Sequence, residues 1–277
     1  MNTNTGTAAS FVVVEHHGAA ARVVLDRPGP GRQPLNILDL ATIRELKARL
    51  EETLADETVR LVEIRGSKSF SAGVEIRDHF PERAPDMLRE FHSLIRTVIY
   101  ARCPTLAAVR GYCLGGGMEL ACACDFIVAS ADAQFGQPEI RVACFPPVAA
   151  VLLPRLIPEK KALEMILTGE RIGAAEAHRL GLVNRVTGGV DGDGKSGRPT
   201  LKDQAMAFEA EVERFESALL GLPPGTLALA RKAVQLGSRD AFESGLREAE
   251  RIYLDELLKL PEAVEGLRAF LEKRPRG

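Results

Sequence analysis

The chain contains no tryptophan and only three tyrosines, and aromatic residues make up 5% of its 277 positions. Base-stacking platforms need aromatic faces, so nucleic acid is a poor fit as a partner. Neither sign of charge predominates. The 36 basic and 38 acidic residues leave a net charge of −2, so no global field draws in nucleic acid or an anionic membrane. Any anionic ligand must be met by local groups. Cysteines number five, an odd count that speaks against a secreted disulfide framework and for reduced thiols in the cytoplasm. No stretch approaches the roughly 18 uninterrupted apolar residues of a membrane span. The opening MNTNTGTAAS has no basic region followed by an apolar one, so residues 1–10 are expected to be a disordered tail and not a signal peptide. What remains is an ordinary globular composition, 45% apolar and 27% charged, long enough for one large domain with a helical appendage.

Hydrophobic patterning predicts alternating strands and helices. Residues 11–15 and 22–25 are β-branched runs joined through His-Gly-Ala, which reads as a hairpin. Leu40, Ile43, Leu46, Leu50 and Leu54 recur at helical spacing within 37–54, and Met87, Leu88, Phe91, Leu94, Ile95 and Ile99 do so within 85–100. Short buried strands are expected at 61–64, 105–109 and 126–129, with a helix over 115–123 between the last two. Residues 158–181 read as helical, and the chain from 201 onward reads as helical with breaks at 221–225 and 237. Strand–helix alternation of this length implies crossovers and largely parallel pairing, hence an α/β fold. The expected organisation is a core over 11–186, a glycine-rich loop over 187–200 and a helical region over 201–277.

That loop contains a formal phosphate-loop match, Gly189 to Ser196. Its two internal aspartates would repel phosphate, and Gly197-Arg198-Pro199 breaks the helix whose N–H groups the motif requires. It is read as a linker. Cys122 and Cys124 stand two apart on a predicted helix and face different ways, so they do not grip one metal and are read as small packing residues. No metal site and no cofactor is expected.

The stronger constellation is Cys113-Leu-Gly115-Gly116-Gly117-Met118-Glu119, where a strand exit feeds a helix start. Backbone N–H groups there face outward at the positive end of a helix, and glycines let a substrate oxygen come close. Glu119 follows in the first turn of a helix whose continuation is small and apolar, and a buried Glu needs a reason. Gln134-Phe-Gly-Gln-Pro-Glu139-Ile140 supplies a second carboxylate, and Ser69-Phe-Ser71-Ala72-Gly73-Val74-Glu75 supplies a second small-residue turn after a strand.

At these residues the sequence resembles the crotonase superfamily, the enoyl-CoA hydratases and isomerases. The matching stretches are SFSAGVEI (69–76), AAVRGYCLGGGMELACACDFIVAS (107–130), AQFGQPEI (133–140), LTGERIGAAEAHRLGLVNRV (167–186) and FLEKR (270–274), in family order over nearly the whole chain. The resemblance implies a spiral of ββα turns with a C-terminal helical region that builds a homotrimer, often paired into a homohexamer. It implies an acyl-CoA thioester as the ligand, coenzyme A arriving as part of the substrate and no separate cofactor. By the same resemblance the N–H groups of Ala72 and Gly116 form the oxyanion hole, and Glu119 and Glu139 act as the acid and base of a hydratase. Ser71, Val74, Ile76, Phe145 and Pro147 fall where relatives build the acyl pocket. Arg27 and Lys273 lie where relatives contact the phosphates of coenzyme A, or are simply solvated. His79 lines the acyl pocket or a mobile lid, or is a surface histidine at a helix start.

One departure stands out. Where common hydratases carry Pro-Gly-x-Gly-Gly, this chain has Cys144-Phe-Pro-Pro147-Val-Ala149-Ala150, and Pro147 has no N–H to offer a catalytic water. This stretch and SAGVEIRDH (71–79) resemble most the cyclic dienoyl-CoA hydratases. The alternatives are a hydratase or isomerase of linear acyl-CoA and, from another class, a non-catalytic binding protein of the same fold.

Overall fold

The computed structural model describes residues 10–28, 35–187 and 200–274. All but Ser10 of the expected tail, and all of the glycine-rich segment between Thr187 and Thr200, lie outside the described residues, as does the phosphate-loop match.

A hairpin opens the fold as expected: β1 (Val12–His17) and β2 (Ala20–Leu25) pair antiparallel through Gly18, which adopts φ +61°. Strands β3 (Leu61–Gly66), β4 (Thr105–Val109), β6 (Phe126–Ser130) and β9 (Arg185–Thr187) then join in parallel, giving the sheet order β1-β2-β3-β4-β6-β9. A second sheet orders β5 (Tyr112–Leu114), β7 (Gln134–Gly136) and β8 (Arg171–Gly173), parallel for the first pair and antiparallel for the second. Each short strand of this sheet leads into a helix or a 3-10 turn of the site.

The two patterned helices form where the periodicity places them. Helix α1 (Leu40–Ala55) starts at Asp39, whose carboxylate accepts the Thr42 N–H at 2.8 Å, and it buries Ile43, Leu46 and Leu50. Helix α2 (Ala84–Ile99) buries Met87, Leu88, Phe91, Leu94 and Ile95; Val98 takes the last inward position while Ile99 is half-exposed. Both lie against one another, and α2 also packs on α3 (Gly116–Ala123), a short helix buried along its whole length.

Two expectations are corrected. The 158–181 stretch is not one helix: α5 (Glu159–Thr168) ends at Gly169 in the left-handed region, β8 intervenes, and α6 (Ala174–Arg179) follows. Glycine at φ +68° stops the helix, and pairing of Ile172 with Phe135 captures the next residues as strand. Helix α4 (Pro147–Leu156) forms in a stretch where no element was expected, with prolines at its start and a further one, Pro154, inside it. Pro146 and Pro147 suit a first turn because N–H groups there have no intrahelical partner.

Beyond residue 200 the chain is helical, as the pattern predicts, in α7 (Leu201–Leu220), α8 (Pro224–Gln235), α9 (Arg239–Asp255) and α10 (Pro261–Leu271). An unforeseen 3-10 turn, Leu257–Lys259, separates the last two. Helix α7 lies on the large sheet, its Phe208 and Val212 packed with Leu106, Ala108 and Val128. A buried charge cluster reinforces that contact. Arg22 Nε meets Glu63 at 2.8 Å and its Nη2 meets Glu216 at 3.2 Å, while Arg65 joins Glu63 to Glu209. Burial pushes the Glu63 carboxyl up to about 7.

Helix α8 buries no residue of its own within the chain and is tied down by Arg231 and, more weakly, by Gln235, whose Nε2 reaches Ile99 O at 3.2 Å. Arg231 bonds Asp125 through Nε at 2.7 Å and the carbonyls of Ala101 and Ile99 through its two Nη atoms. Arg231→Ala removes the counter-ion of the half-buried Asp125 and a donor to two carbonyls. The expected outcome is a loss of about 2–3 kcal/mol, read as a lower urea midpoint with an unchanged slope.

Candidate active site

Three glycines set the geometry. Gly115 sits at φ +52°, gives its N–H to the Gly136 carbonyl at 2.9 Å, and lies so close to Glu139 that a Cβ there would collide with Oε1. A Cβ on Gly116 would stand 2.6 Å from Val74 Cγ2 and 3.4 Å from the Val74 nitrogen; one on Gly117 would stand 2.6 Å from Ser71 Cβ. Only glycine lets the start of α3 approach the 71–74 turn and Glu139 this closely.

The free N–H groups follow from a count of acceptors. Gly116 opens α3, so no carbonyl one turn earlier receives its N–H. In the facing turn, Ser71 donates to Tyr112 O at 2.9 Å, Gly73 to Ser71 Oγ at 3.1 Å and Glu75 to Leu38 O at 3.1 Å. Ala72 donates to Leu35 O at 2.8 Å. The expectation that Ala72 provides the second oxyanion donor is therefore corrected: its N–H is already used. The N–H of Val74 has no acceptor among the described residues and stands beside Gly116.

Glu119 is buried in the first turn of α3, and its Oε1 accepts the Ala149 N–H at 2.8 Å. The Val148 N–H also reaches it, so the amino end of α4 supports its charge. Burial nevertheless lifts its carboxyl to about 7. Glu139 stands in the 3-10 turn Pro138–Val142 and its Oε2 is sealed from solvent without a hydrogen-bond partner. Burial first, and the nearby Glu119 charge second, push Glu139 well above the ordinary carboxyl range. The two carboxyls thus differ in support: Glu119 accepts backbone N–H bonds from α4, whereas Glu139 Oε2 accepts none.

Both line one small cavity of about 10 Å³ together with Val74, His79, Phe145 and Pro147 among others. An arrangement of this kind can place one acidic and one basic carboxyl beside two N–H donors, which suits chemistry that builds an enolate at a carbonyl. Of the other expected pocket residues, Ser71 is structural, its Oγ donating to Asn36 O at 2.7 Å, and Ile76 lies outside the cavity lining. Arg27 is also elsewhere: its guanidinium is paired with Asp39 and bonded to Ile37 O and Thr42 Oγ1. Lys273 is exposed beyond α10 and has no ion-pair partner among the described residues.

One residue of the site was not anticipated. Tyr253 comes from α9, is fully buried, and puts its hydroxyl 2.8 Å from His79 Nδ1. It also bonds Cys144, and its ring stands 5.3 Å from that of Phe145. Phe242, Leu246, Ala249 and Tyr253 recur at helical spacing, which marks Tyr253 as inward-facing but not as a neighbour of residues 79 and 144. Among the described residues, no group of three His, Cys, Asp or Glu could hold a metal ion, and no helix is long and apolar enough to cross a membrane.

A spiral of strand and helix turns with paired N–H donors beside two buried carboxyls defines a class of acyl-thioester enzymes, and comparison places the chain within it. Residues 15–276 match the enoyl-CoA hydratase/isomerase family, and the chain belongs to that family. It is an enzyme of the hydro-lyase kind, with hydratase/isomerase activity on an acyl-CoA thioester. A cyclohexa-1,5-dienecarbonyl-CoA hydratase of Thauera aromatica is 34% identical over 264 residues, covering 95% of this chain and 94% of that one. A crotonyl-CoA hydratase of Syntrophomonas wolfei is 31% identical, covering 95% of each. The solved enoyl-CoA hydratase of Mycobacterium avium subsp. paratuberculosis superposes with a TM-score of 0.80 at 28% identity, over 98% of this chain and 99% of that one.

The raised carboxyl of Glu119 has a sign that stability measurements can read. Its folded-state value lies above the unfolded one, so its ionisation destabilises the fold as pH rises from about 4.5 through about 7. Glu119→Gln is expected to gain stability relative to the parent at pH 8 and to show no such gain at pH 4.5. Urea unfolding at both values tests this; an equal shift at the two pH values would contradict it.

Proposed function

We propose that the enzyme hydrates an α,β-unsaturated acyl-CoA, a cyclic dienoyl thioester such as cyclohexa-1,5-diene-1-carbonyl-CoA, or runs the reverse dehydration. The observation that carries this reading is the convergence of Glu119 and Glu139 on one cavity beside Val74 and Gly116. The Thauera relative and the FPPVAA stretch at 145–150 support the cyclic acyl group.

The chemistry follows from the different support of the two carboxyls. Glu119, ionised, takes a proton from water as the oxygen adds to the β-carbon. Negative charge develops on the thioester oxygen and is received by the N–H groups of Gly116 and Val74; one such donor is worth about 3–4 kcal/mol of barrier. Glu139, protonated, then returns a proton to carbon. In a linear enoyl thioester that carbon is the α-carbon. In the cyclic diene it is the far end of the second double bond, so the product keeps a double bond conjugated to the thioester and carries a 6-hydroxyl group. A proton shift between the coupled carboxyls restores the starting state.

Lys273, with no ion partner, is proposed to meet a coenzyme A phosphate, whereas the paired Arg27 contributes by holding the start of α1. The exposed Leu229 and Val234 on α8, with Leu236 just past its end, suit burial against other copies, in keeping with a homotrimer or a pair of trimers acting in the cytoplasm. A second reading, a hydratase of linear acyl-CoA, is favoured by the crotonyl-CoA hydratase relative.

Incubation with crotonyl-CoA, following loss of the enoyl chromophore, and with cyclohexadienoyl-CoA, following formation of the 6-hydroxy product by chromatography, separates the two. Turnover of the diene at the higher kcat/KM is expected; efficient turnover of crotonyl-CoA alone would exclude the cyclic substrate, and turnover of neither would exclude a hydratase. Glu119→Gln and Glu139→Gln are each expected to lower kcat about 10²- to 10⁴-fold. Full activity in the Glu139 variant would refute the two-carboxyl mechanism.

A further inference from the structure

Hydration needs a water molecule held at one point, and with the N–H groups of Gly116 and Val74 assigned to the thioester oxygen, the remaining backbone amides beside the carboxyls, those of α4, are already used. Pro147 has no N–H, and those of Val148 and Ala149 are given to Glu119. The cavity of about 10 Å³ is close to the room one water requires, and a buried water needs two to four polar partners. Three lining side chains carry a nitrogen or oxygen atom: Glu119, Glu139 and His79.

The orientation of His79 is set from outside the cavity. Tyr253, fully buried and braced by Phe145, binds His79 Nδ1 and is itself bonded to Cys144. A neutral thiol can donate to the phenol oxygen, and the phenol then donates to Nδ1. That order leaves the ring proton of a neutral imidazole on Nε2. Burial holds the ring neutral by lowering its pKa to about 4. His79 is buried to nine-tenths, and its Nε2 has no hydrogen-bond partner among the described residues.

We propose that His79 is a further catalytic residue, whose Nε2–H, aimed by Tyr253, donates to the oxygen of the water that adds to the double bond. This rests on the hydratase reading above and names the group that takes the place of the missing amide at Pro147. The water's two O–H groups face Glu119 and Glu139, one lone pair accepts from Nε2–H, and the other points at the β-carbon. As the C–O bond forms, one proton passes to Glu119, and the hydroxyl oxygen keeps its hydrogen bond to His79. Tyr253 is a positioning residue.

A reaction that needs the carboxyls and the N–H donors but no added water separates this role from a structural one. The probe is exchange of the α-protons of butyryl-CoA with D2O, measured beside hydration of crotonyl-CoA and cyclohexadienoyl-CoA. His79→Leu is expected to lower the kcat of hydration about 100-fold and Tyr253→Phe about 10-fold, with KM and exchange changed by less than about threefold. His79→Gln, which retains an N–H donor, is expected to recover at least about tenfold over His79→Leu. Unchanged hydration in both variants overturns the proposal, and so does an equal loss of hydration and exchange. A parent enzyme that exchanges protons but hydrates neither thioester overturns the hydratase reading itself.

Discussion

The site depends on the absence of side chains at three consecutive positions. Residues 115–117 bring the amino end of α3 against Glu139, Val74 and Ser71, and a methyl group at any of them would meet an atom closer than van der Waals contact permits. That approach puts the Val74 and Gly116 N–H groups side by side and seals Glu119 behind them. It also explains why α3 is apolar beyond its first turn: a helix held this tightly has no face left for solvent. The carboxyl chemistry is a consequence of this packing, since burial is what lifts both glutamates out of their ordinary range.

The difference between the two carboxyls comes from the next element along the chain. Helix α4 directs its first free N–H groups at Glu119, while Glu139 Oε2 has no donor. Two residues of the same type therefore hold a proton with different strength because one faces a helix terminus and the other does not. The prolines at 146 and 147 serve this arrangement. They give up N–H groups that a helix start cannot use internally and leave those of residues 148 and 149 aimed inward.

Much of this was legible from residue order. Strands β1 to β4, helices α1 to α3 and the helical region after residue 200 each carry a period or a glycine signal long enough to read. Glu119 stood out because a charged residue next to small apolar ones asks for a partner, whereas Glu139, in a turn beside Pro138, was marked only by the family pattern. Elements of three residues, such as β8, were not legible, because their strand character comes from pairing with β7 and not from their own sequence. Helix α4 was hidden by its prolines. The proposed oxyanion donor moves from Ala72 to Val74, since only hydrogen-bond partners distinguish the used N–H of the first from the unused one of the second. Tyr253 was missed because its contacts lie more than a hundred residues away in sequence.

That distance has a consequence for synthesis. The glycine turn, both carboxyls and the free N–H groups of Val74 and Gly116 are all translated by residue 139, yet the Tyr253 hydroxyl that holds His79 arrives with α9, more than a hundred residues later. The support of His79 is therefore completed last, after every residue that lines the cavity has been made.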